Sequence, residues 1–300
     1  MAEKKYLISG ATGFLGKFII NELDPSLFDT IGRGSTNTIK FDLAQTELPL
    51  TFHNKYDYLI IASGHAHVFK NNARESHLHH TINFKGTQKL VESAYHNGLK
   101  GIVFISSVAV YGEHMILPFK EDDELRGESA YAKSKIAAEN FLIDWSRETN
   151  VPVLILRTPL IAGKCPPGNL GVMIEAIRNK RYFSVAEGRA KRSMVLAEDL
   201  AKFIVENCGH NGVFNICDGL HPSYRELEHL ISKQLNLPLP KEIPLFIAEV
   251  LAKVGDILPF MPINSVRLKK LKQDLLIDDS KVRKELGWQP KEVAKYLIIE

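Results

Sequence analysis

The sequence predicts a doubly wound α/β fold, a parallel sheet between two layers of helices, with a smaller and mostly helical C-terminal part. Three observations predict it. Short, continuously apolar runs occur at YLIS (6–9), YLIIAS (58–63), GIVFISS (101–107) and VPVLILR (151–157), as strands buried on both faces require. Between them lie segments of helical period: GFLGKFIINEL, TINFKGTQKLVESAYHNG and AYAKSKIAAENFLIDWSRE. Alternating strand and helix implies crossover connections and therefore parallel strands. The third observation is a glycine-rich turn directly after the first run.

Along the chain, the regularity loosens after residue 163, where GKCPPGNLG reads as a turn-rich loop. VLAEDLAKFIVEN and VFNICD read as a return to the sheet. The last 80 residues are mostly helical, punctuated by Pro238, Pro240, Pro244, Pro259 and Pro262. This places one unit at 1–163, with 191–217 returning to it, and a second at 164–190 and 218–300. The most apolar stretch, 243–260, contains Glu249, Lys253 and Asp256 and is broken by Pro259. It reads as a buried amphipathic helix rather than a membrane span.

Composition excludes several classes. The 300 residues are 45% hydrophobic and 24% charged, as in ordinary globular proteins. Thirty-eight basic and 35 acidic residues leave a net charge of +3, too little to argue for nucleic acid or an anionic membrane as partner. Cys165, Cys208 and Cys217 form no CxxC pair and read as packing residues in a reducing compartment. The charged MAEKK leads straight into a strand, so a cytoplasmic protein without a signal peptide is expected.

Gly10-Ala11-Thr12-Gly13-Phe14-Leu15-Gly16 ends the first strand and opens a helix, the context of a dinucleotide-binding fingerprint. Gly10 allows the tight turn, Gly13 lets backbone approach a pyrophosphate, and Gly16 lets helix and strand pack closely. Thr12, Phe14 and Leu15 complete the cradle at the helix N-terminus. Where an NAD site carries an acidic residue after the second strand, this chain has Gly32-Arg33, followed by Ser35. An arginine and a hydroxyl there suit a 2′-phosphate and favour NADP over NAD, unless Arg33 stacks on adenine. Asp42, in FDL, either accepts from the adenine amino group or closes a turn.

Tyr131 and Lys135 in YAKSK stand one helical turn apart, and Ser107 ends a strand 24 residues before Tyr131. A phenol normally titrates near ~10 and becomes a useful base only beside a cation. Lys135 is expected to supply that charge and to hold the nicotinamide ribose, while Ser107 hydrogen-bonds the reacting oxygen. These are the parts of hydride transfer at a carbinol.

These pieces, with Asn83 and Gly86-Thr87 in INFKGT, SSVAVYG, ILRTP, AEDLA, FNICDG and DDSKVRKELGWQP, make the chain resemble an extended short-chain dehydrogenase/reductase of the nucleotide-sugar epimerase/dehydratase family. The resemblance implies a Rossmann-type domain, a small C-terminal substrate domain, NAD(P), a nucleotide-diphosphate sugar, taken as UDP-linked, and a homodimer formed through helices at 80–97 and 130–148. It also implies cofactor contacts at Leu43, Ala62, Ser63 and Asn83. Dehydratases of the family carry an acidic pair where this chain has Val108 and Ala109, so dehydration is disfavoured. Epimerases usually carry Asn where this chain has Leu160. ASGHAHV (62–68) and GRAKRSMV (188–195) are similar to segments of 4-keto-6-deoxy-hexosamine reductases, so reduction of a 4-keto sugar is expected ahead of C4 epimerisation. A catalytically silent NADP sensor or scaffold is the third reading, disfavoured because Ser107, Tyr131 and Lys135 are all present.

The same resemblance places Arg192 on the substrate diphosphate, for which a bidentate guanidinium is suited. It places Asn169 on the substrate, although a plain helix cap fits as well. Arg267 is a second phosphate candidate, with a solvated helix face as the alternative. Among the histidines, HLHH lacks partners at metal-ligand spacing and no metal is expected. His65 or His67 is expected near the nicotinamide.

Overall fold

The computed structural model describes residues 4–44, 52, 54–66, 73–96, 98–112, 117–258 and 263–299. The strands are β1 (Tyr6–Ser9), β2 (Phe28–Gly32), β3 (Ile39–Lys40), β4 (Tyr58–Ile61), β5 (Gly101–Ser107), β6 (Val153–Thr158), β7 (Leu160–Ala162), β8 (Phe183–Val185), β9 (Met194–Leu196), β10 (Gly212–Asn215) and β11 (Lys241–Ile243). The helices are α1 (Phe14–Asn21), α2 (Ala73–His79), α3 (Gly86–Tyr95), α4 (Ala130–Thr149), α5 (Gly168–Arg178), α6 (Ala197–Asn207), α7 (Tyr224–Gln234), α8 (Leu245–Ile257), α9 (Ser265–Lys272), α10 (Ser280–Leu286) and α11 (Val293–Tyr296).

Seven strands form one sheet in the order β10-β6-β5-β4-β1-β2-β3, every pairing parallel. The order reverses between β1 and β4, and a crevice opens there at the carboxyl ends of the strands. The apolar runs of the sequence explain both layers, because alternate residues point to opposite faces. Ile8, Ile60, Val103, Leu154 and Leu156 pack beneath α1 and α6 with Leu15, Ile19, Leu200 and Ile204. Leu7, Leu59, Ile61, Ile102, Phe104 and Ile155 face α3 and α4, meeting Leu90, Val91, Ala138 and Leu142. Burying each such side chain is worth about 1.5–3 kcal/mol.

VFNICD does rejoin the sheet: β10 pairs with β6. β9 does not; it pairs with β7 in a separate two-stranded ribbon. That ribbon borders a third core, in which Met173, Ile177, Leu227, Ile231 and Val293 bring α5, α7 and α11 together. One cysteine departs from expectation. Cys208 and Cys217 are buried, but Cys165 is exposed at φ +52°, in the turn before α5.

The longest helix, α4, is clipped to the sheet by charge. Glu139 and Arg157 form an ion pair of 2.8 Å with both side chains buried. The Ser106 hydroxyl also donates to Glu139, and the Arg157 guanidinium donates to Tyr111 Oη and the Glu121 carbonyl, each at 2.9 Å. Tyr111 in turn donates to Asn215 Oδ1 on β10 at 2.7 Å. Its phenol, pushed up to about 12 mainly by burial, stays protonated. Removing one partner strands the other charge in a dry interior, so Glu139→Ala is expected to cost about 3–5 kcal/mol, whereas Glu139→Met with Arg157→Leu should recover most of it. Urea unfolding midpoints of the three proteins check this; a single variant as stable as the double one would refute it.

Candidate active site

The glycine loop sits in the crevice at the switch point. Gly10 has φ +82°, and a Cβ on it would lie 2.5 Å from the Ser63 backbone nitrogen. A Cβ on Gly16 would lie 2.0 Å from the Gly10 carbonyl oxygen, so both positions exclude any side chain. The Ser9 and Ser63 hydroxyls, 2.8 Å apart, pin the ends of β1 and β4 together beside the loop. Gly13 caps α1 in extended conformation without a side-chain hydrogen bond. The backbone N–H groups of the first turn therefore point toward the crevice. A loop stripped of side chains under a helix N-terminus fits a dinucleotide pyrophosphate. NAD(P) bound there would be held by Gly10, Thr12, Gly13, Phe14, Leu15 and Gly16, and would supply a hydride acceptor and donor.

Next along the adenosine side, the Gly32–Asn37 turn is held by the Asn37 side chain on the Gly34 carbonyl at 3.1 Å, leaving Arg33 and Ser35 exposed. Asp42 accepts from the Ala44 N–H at 3.0 Å, so in this arrangement it closes a turn. Leu43 packs against Gly86 at the start of α3.

The reactive side chains meet where β5 ends. Ser107 Oγ accepts from the Ala109 N–H at 3.2 Å, and its hydroxyl is the side chain that favours the Tyr131 phenolate. Ser129 caps α4 by accepting from the Ala132 N–H, which starts the helix where Tyr131 and then Lys135 project on one face. Lys135 Nζ donates to the Ile105 carbonyl at 2.8 Å and lies 4.5 Å from the Phe104 ring centroid. Burial lowers its pKa from the usual 10.5 to about 8, with Glu139 pulling the other way. The sequence predicts that Lys135 depresses the Tyr131 phenol. Here burial raises the phenol instead, because the ammonium is turned onto a carbonyl while Ser107 opposes the rise.

Sequence reasoning missed the part that His79 and Glu75 play beside this trio. His79 is buried, with its ring 5.8 Å from the Tyr131 ring and 4.7 Å from His65. His79 Nδ1 lies 2.9 Å from the His65 carbonyl oxygen, and His65 Nε2 lies 2.7 Å from Glu75 Oε2. Burial lowers the His79 pKa, so its ring is neutral at pH 7. Asn83 belongs to a π-helical turn, His80–Lys85, of a kind found often at functional sites. Its amide accepts from the His65 N–H at 2.6 Å and donates to the His65 carbonyl and Ser134 Oγ at 3.1 and 3.0 Å. Asn83, implied as a cofactor contact, thus acts here as the clamp of the 62–66 loop that carries Ala62 and Ser63. His65 reaches the Tyr131 region only through the His79 ring between them; His67 lies outside the described residues.

Arg192 is buried, and its guanidinium donates to the carbonyls of Lys191, Lys270 and Gln273 and covers the Tyr224 ring at 4.9 Å. It ties the C-terminus of α9 to residues 191–193, and in this arrangement its donors face carbonyls. Asn169 is exposed in the first turn of α5, whose N-cap is Pro167, so the plain-cap reading falls away. Arg267 is half-buried on α9.

Residues 6–217 match the NAD dependent epimerase/dehydratase family, and the chain belongs to it. The UDP-glucose 4-epimerase of Vibrio cholerae is 26% identical over 310 residues, covering 96% of this chain and 91% of that protein. The N-acetyl-alpha-D-glucosaminyl-diphospho-ditrans,octacis-undecaprenol 4-epimerase of Escherichia coli O157:H7 is 28% identical over 218 residues, 68% of this chain and 65% of that one. The crystal structure of the Thermotoga maritima UDP-glucose 4-epimerase with UDP-glucose shares the fold with a TM-score of 0.77 at 19% identity, covering 98% and 96% of the two chains.

The lowered pKa of Lys135 makes a prediction with a definite sign. Between about 8 and 10.5 the unfolded chain binds a proton at this lysine that the native chain has released. Stability contributed by Lys135 therefore rises with pH across that window. The unfolding free energy of wild type relative to Lys135→Met should climb from pH 8 to 10, read by denaturant titration. A flat or falling difference would mean Lys135 is not desolvated.

Proposed function

We propose that the protein is a diphosphate-linked sugar 4-epimerase, removing and returning hydrogen at C4 of a hexose with NAD(P). The observation that carries the reading is the meeting of Ser107, Tyr131 and Lys135 at the end of β5, beside the glycine crevice between β1 and β4. Tyr131 takes the proton from the sugar hydroxyl and later returns it, and Ser107 holds the reacting oxygen by a hydrogen bond. Lys135, swung from the Ile105 carbonyl toward the phenol, lowers the cost of the phenolate. His79 stays neutral against the Tyr131 ring and keeps the phenol in place. A nicotinamide cofactor held by the Gly10–Gly16 cradle would supply the hydride acceptor and donor for C4.

The Vibrio and Escherichia relatives, both 4-epimerases, support this order of preference, which reverses the one the sequence suggests. We take the group beyond the diphosphate to be uridine, as the Vibrio relative's name gives; the Escherichia relative's name gives a polyprenol in that place. Net reduction of a 4-keto sugar with NADPH is the second reading. It is favoured by Arg33 and Ser35, exposed where a 2′-phosphate would lie. The same family reading takes the helices at 80–97 and 130–148 as a homodimer face.

Two measurements test the proposal. Tyr131→Phe should keep its circular dichroism and lose at least about 100-fold in turnover. Undiminished turnover would remove Tyr131 from the chemistry. Denaturing the purified protein should release stoichiometric NAD⁺ or NADH, as retention through the cycle requires. An empty protein that prefers NADPH to NADH would replace epimerisation with the reductase reading.

A further inference from the structure

The helix expected to be buried at 243–260 is inverted. α8 turns its small residues inward: Ala248 and Ala252 pack with Val185 and Leu268, and a Cβ on Gly255 would lie 1.8 Å from the Ile263 carbonyl oxygen. Its large apolar residues point outward. Phe246, Val250, Val254, Ile257 and Leu258 are exposed, Phe246 by 68% and Ile257 by 80%, and Val266 of α9 joins them. Of fifteen large hydrophobic residues exposed among the described residues, eight lie on this helical hairpin. An apolar surface so concentrated marks an interaction site.

Charge says what kind of surface it meets. Residues 245–272 contain five basic side chains, Lys253, Arg267, Lys269, Lys270 and Lys272, against Glu249 and Asp256. That net +3 equals the net charge of the whole chain, so the remainder is balanced. Both carboxylates are engaged within the hairpin: Glu249 pairs with Lys272 at 3.1 Å, and Asp256 accepts from the Ser265 N–H at 2.9 Å. A second copy pairing through this face would set like charges against each other. No helix among the described residues is long and apolar enough to cross a membrane. A 13-residue helix with an apolar stripe, followed by a lysine-rich helix, has the form of an element that lies in a membrane interface.

We propose that the α8–α9 hairpin docks the protein on an anionic phospholipid bilayer. Phe246, Val250 and Ile257 enter the headgroup region, and exposed lysines of the hairpin such as Lys253 and Lys270 meet the lipid phosphates. The small net charge of the chain argues against such a partner only as an average; the positive charge is local. Docking has a consequence that rests on the reaction proposed above. The α9 carbonyls hold Arg192, so a docked hairpin brings the implied diphosphate region to a membrane.

The test is co-sedimentation of the full chain with vesicles of phosphatidylglycerol and phosphatidylethanolamine, compared with pure phosphatidylcholine. Wild type is expected to pellet with the anionic vesicles and to be released by high salt. Phe246→Glu with Ile257→Glu should lower partitioning at least about tenfold, and Lys253→Glu with Lys270→Glu similarly. Both variants should keep wild-type circular dichroism and nucleotide binding, because the altered side chains point to solvent. Failure of wild type to pellet, or pelleting untouched by either variant, would overturn the proposal. So would light scattering that shows a dimer dissociated by Phe246→Glu with Ile257→Glu and no vesicle binding; that result would assign the face to a second copy. Vesicle binding is read without substrate, so its failure leaves the 4-epimerase reading standing, and loss of that reading leaves docking intact.

Discussion

The buried pair of Glu139 and Arg157 sets the geometry on which the site depends. α4 projects Tyr131, Lys135 and Glu139 one turn apart on a single face. The third of these is fixed to the sheet by Ser106 on β5 and Arg157 on β6, leaving the helix little freedom to rotate or slide. The first two are thereby held over the end of β5, where Ser107 stands. Arg157 extends the tie through Tyr111 to Asn215, so the sheet edge at β10 is locked by the same network. Burying this many polar groups adds little net stability compared with apolar packing. Its value lies in specifying one rotation and depth of α4, which apolar contacts between Ala138, Leu142 and the sheet specify less sharply.

That rigidity has a chemical counterpart. Desolvation pushes Lys135 down and Tyr131 up, so each is biased toward its neutral form. A buried phenolate and a buried ammonium are each costly alone and much less so together. In the reaction proposed above, proton transfer from Tyr131 would become favourable as the Lys135 charge approaches it. The neutral His79 beside the phenol adds no competing charge, and the chain His79, His65, Glu75 links the loop over the site to α2.

What could be read from the sequence follows from where the information is local. The parallel sheet, the glycine turn and the positions of Ser107, Tyr131 and Lys135 depend on short-range periodicity and local motifs and were legible, whereas the turn of Lys135 onto the Ile105 carbonyl was not. Glu139 was available by the same rule, one turn beyond Lys135, but its meaning needs Arg157, which only the pairing of β5 with β6 brings beside it. His79 is separated from Tyr131 by 52 positions, and no spacing rule connects them. The Arg192 contacts are non-local as well. Its partners, Lys270 and Gln273, come from a helix whose placement the sequence does not fix.

The inversion of α8 shows a different limit. A helix that is apolar nearly all round contains two candidate inner faces, and hydropathy alone selects the one with the larger side chains. Packing selected the other. Ala248, Ala252 and Gly255 recur at helical spacing and allow the backbone of α8 to approach Ile263 and α9 closely. Close approach multiplies dispersion contacts along the whole helix. Placing Phe246 and Ile257 inside would instead have held the two helices apart. The sequence therefore contained a signal for the inner face in its small residues. The bulky face left outside, with the lysines of α9 after it, is a consequence of that packing and the physical basis for a surface that water does not satisfy.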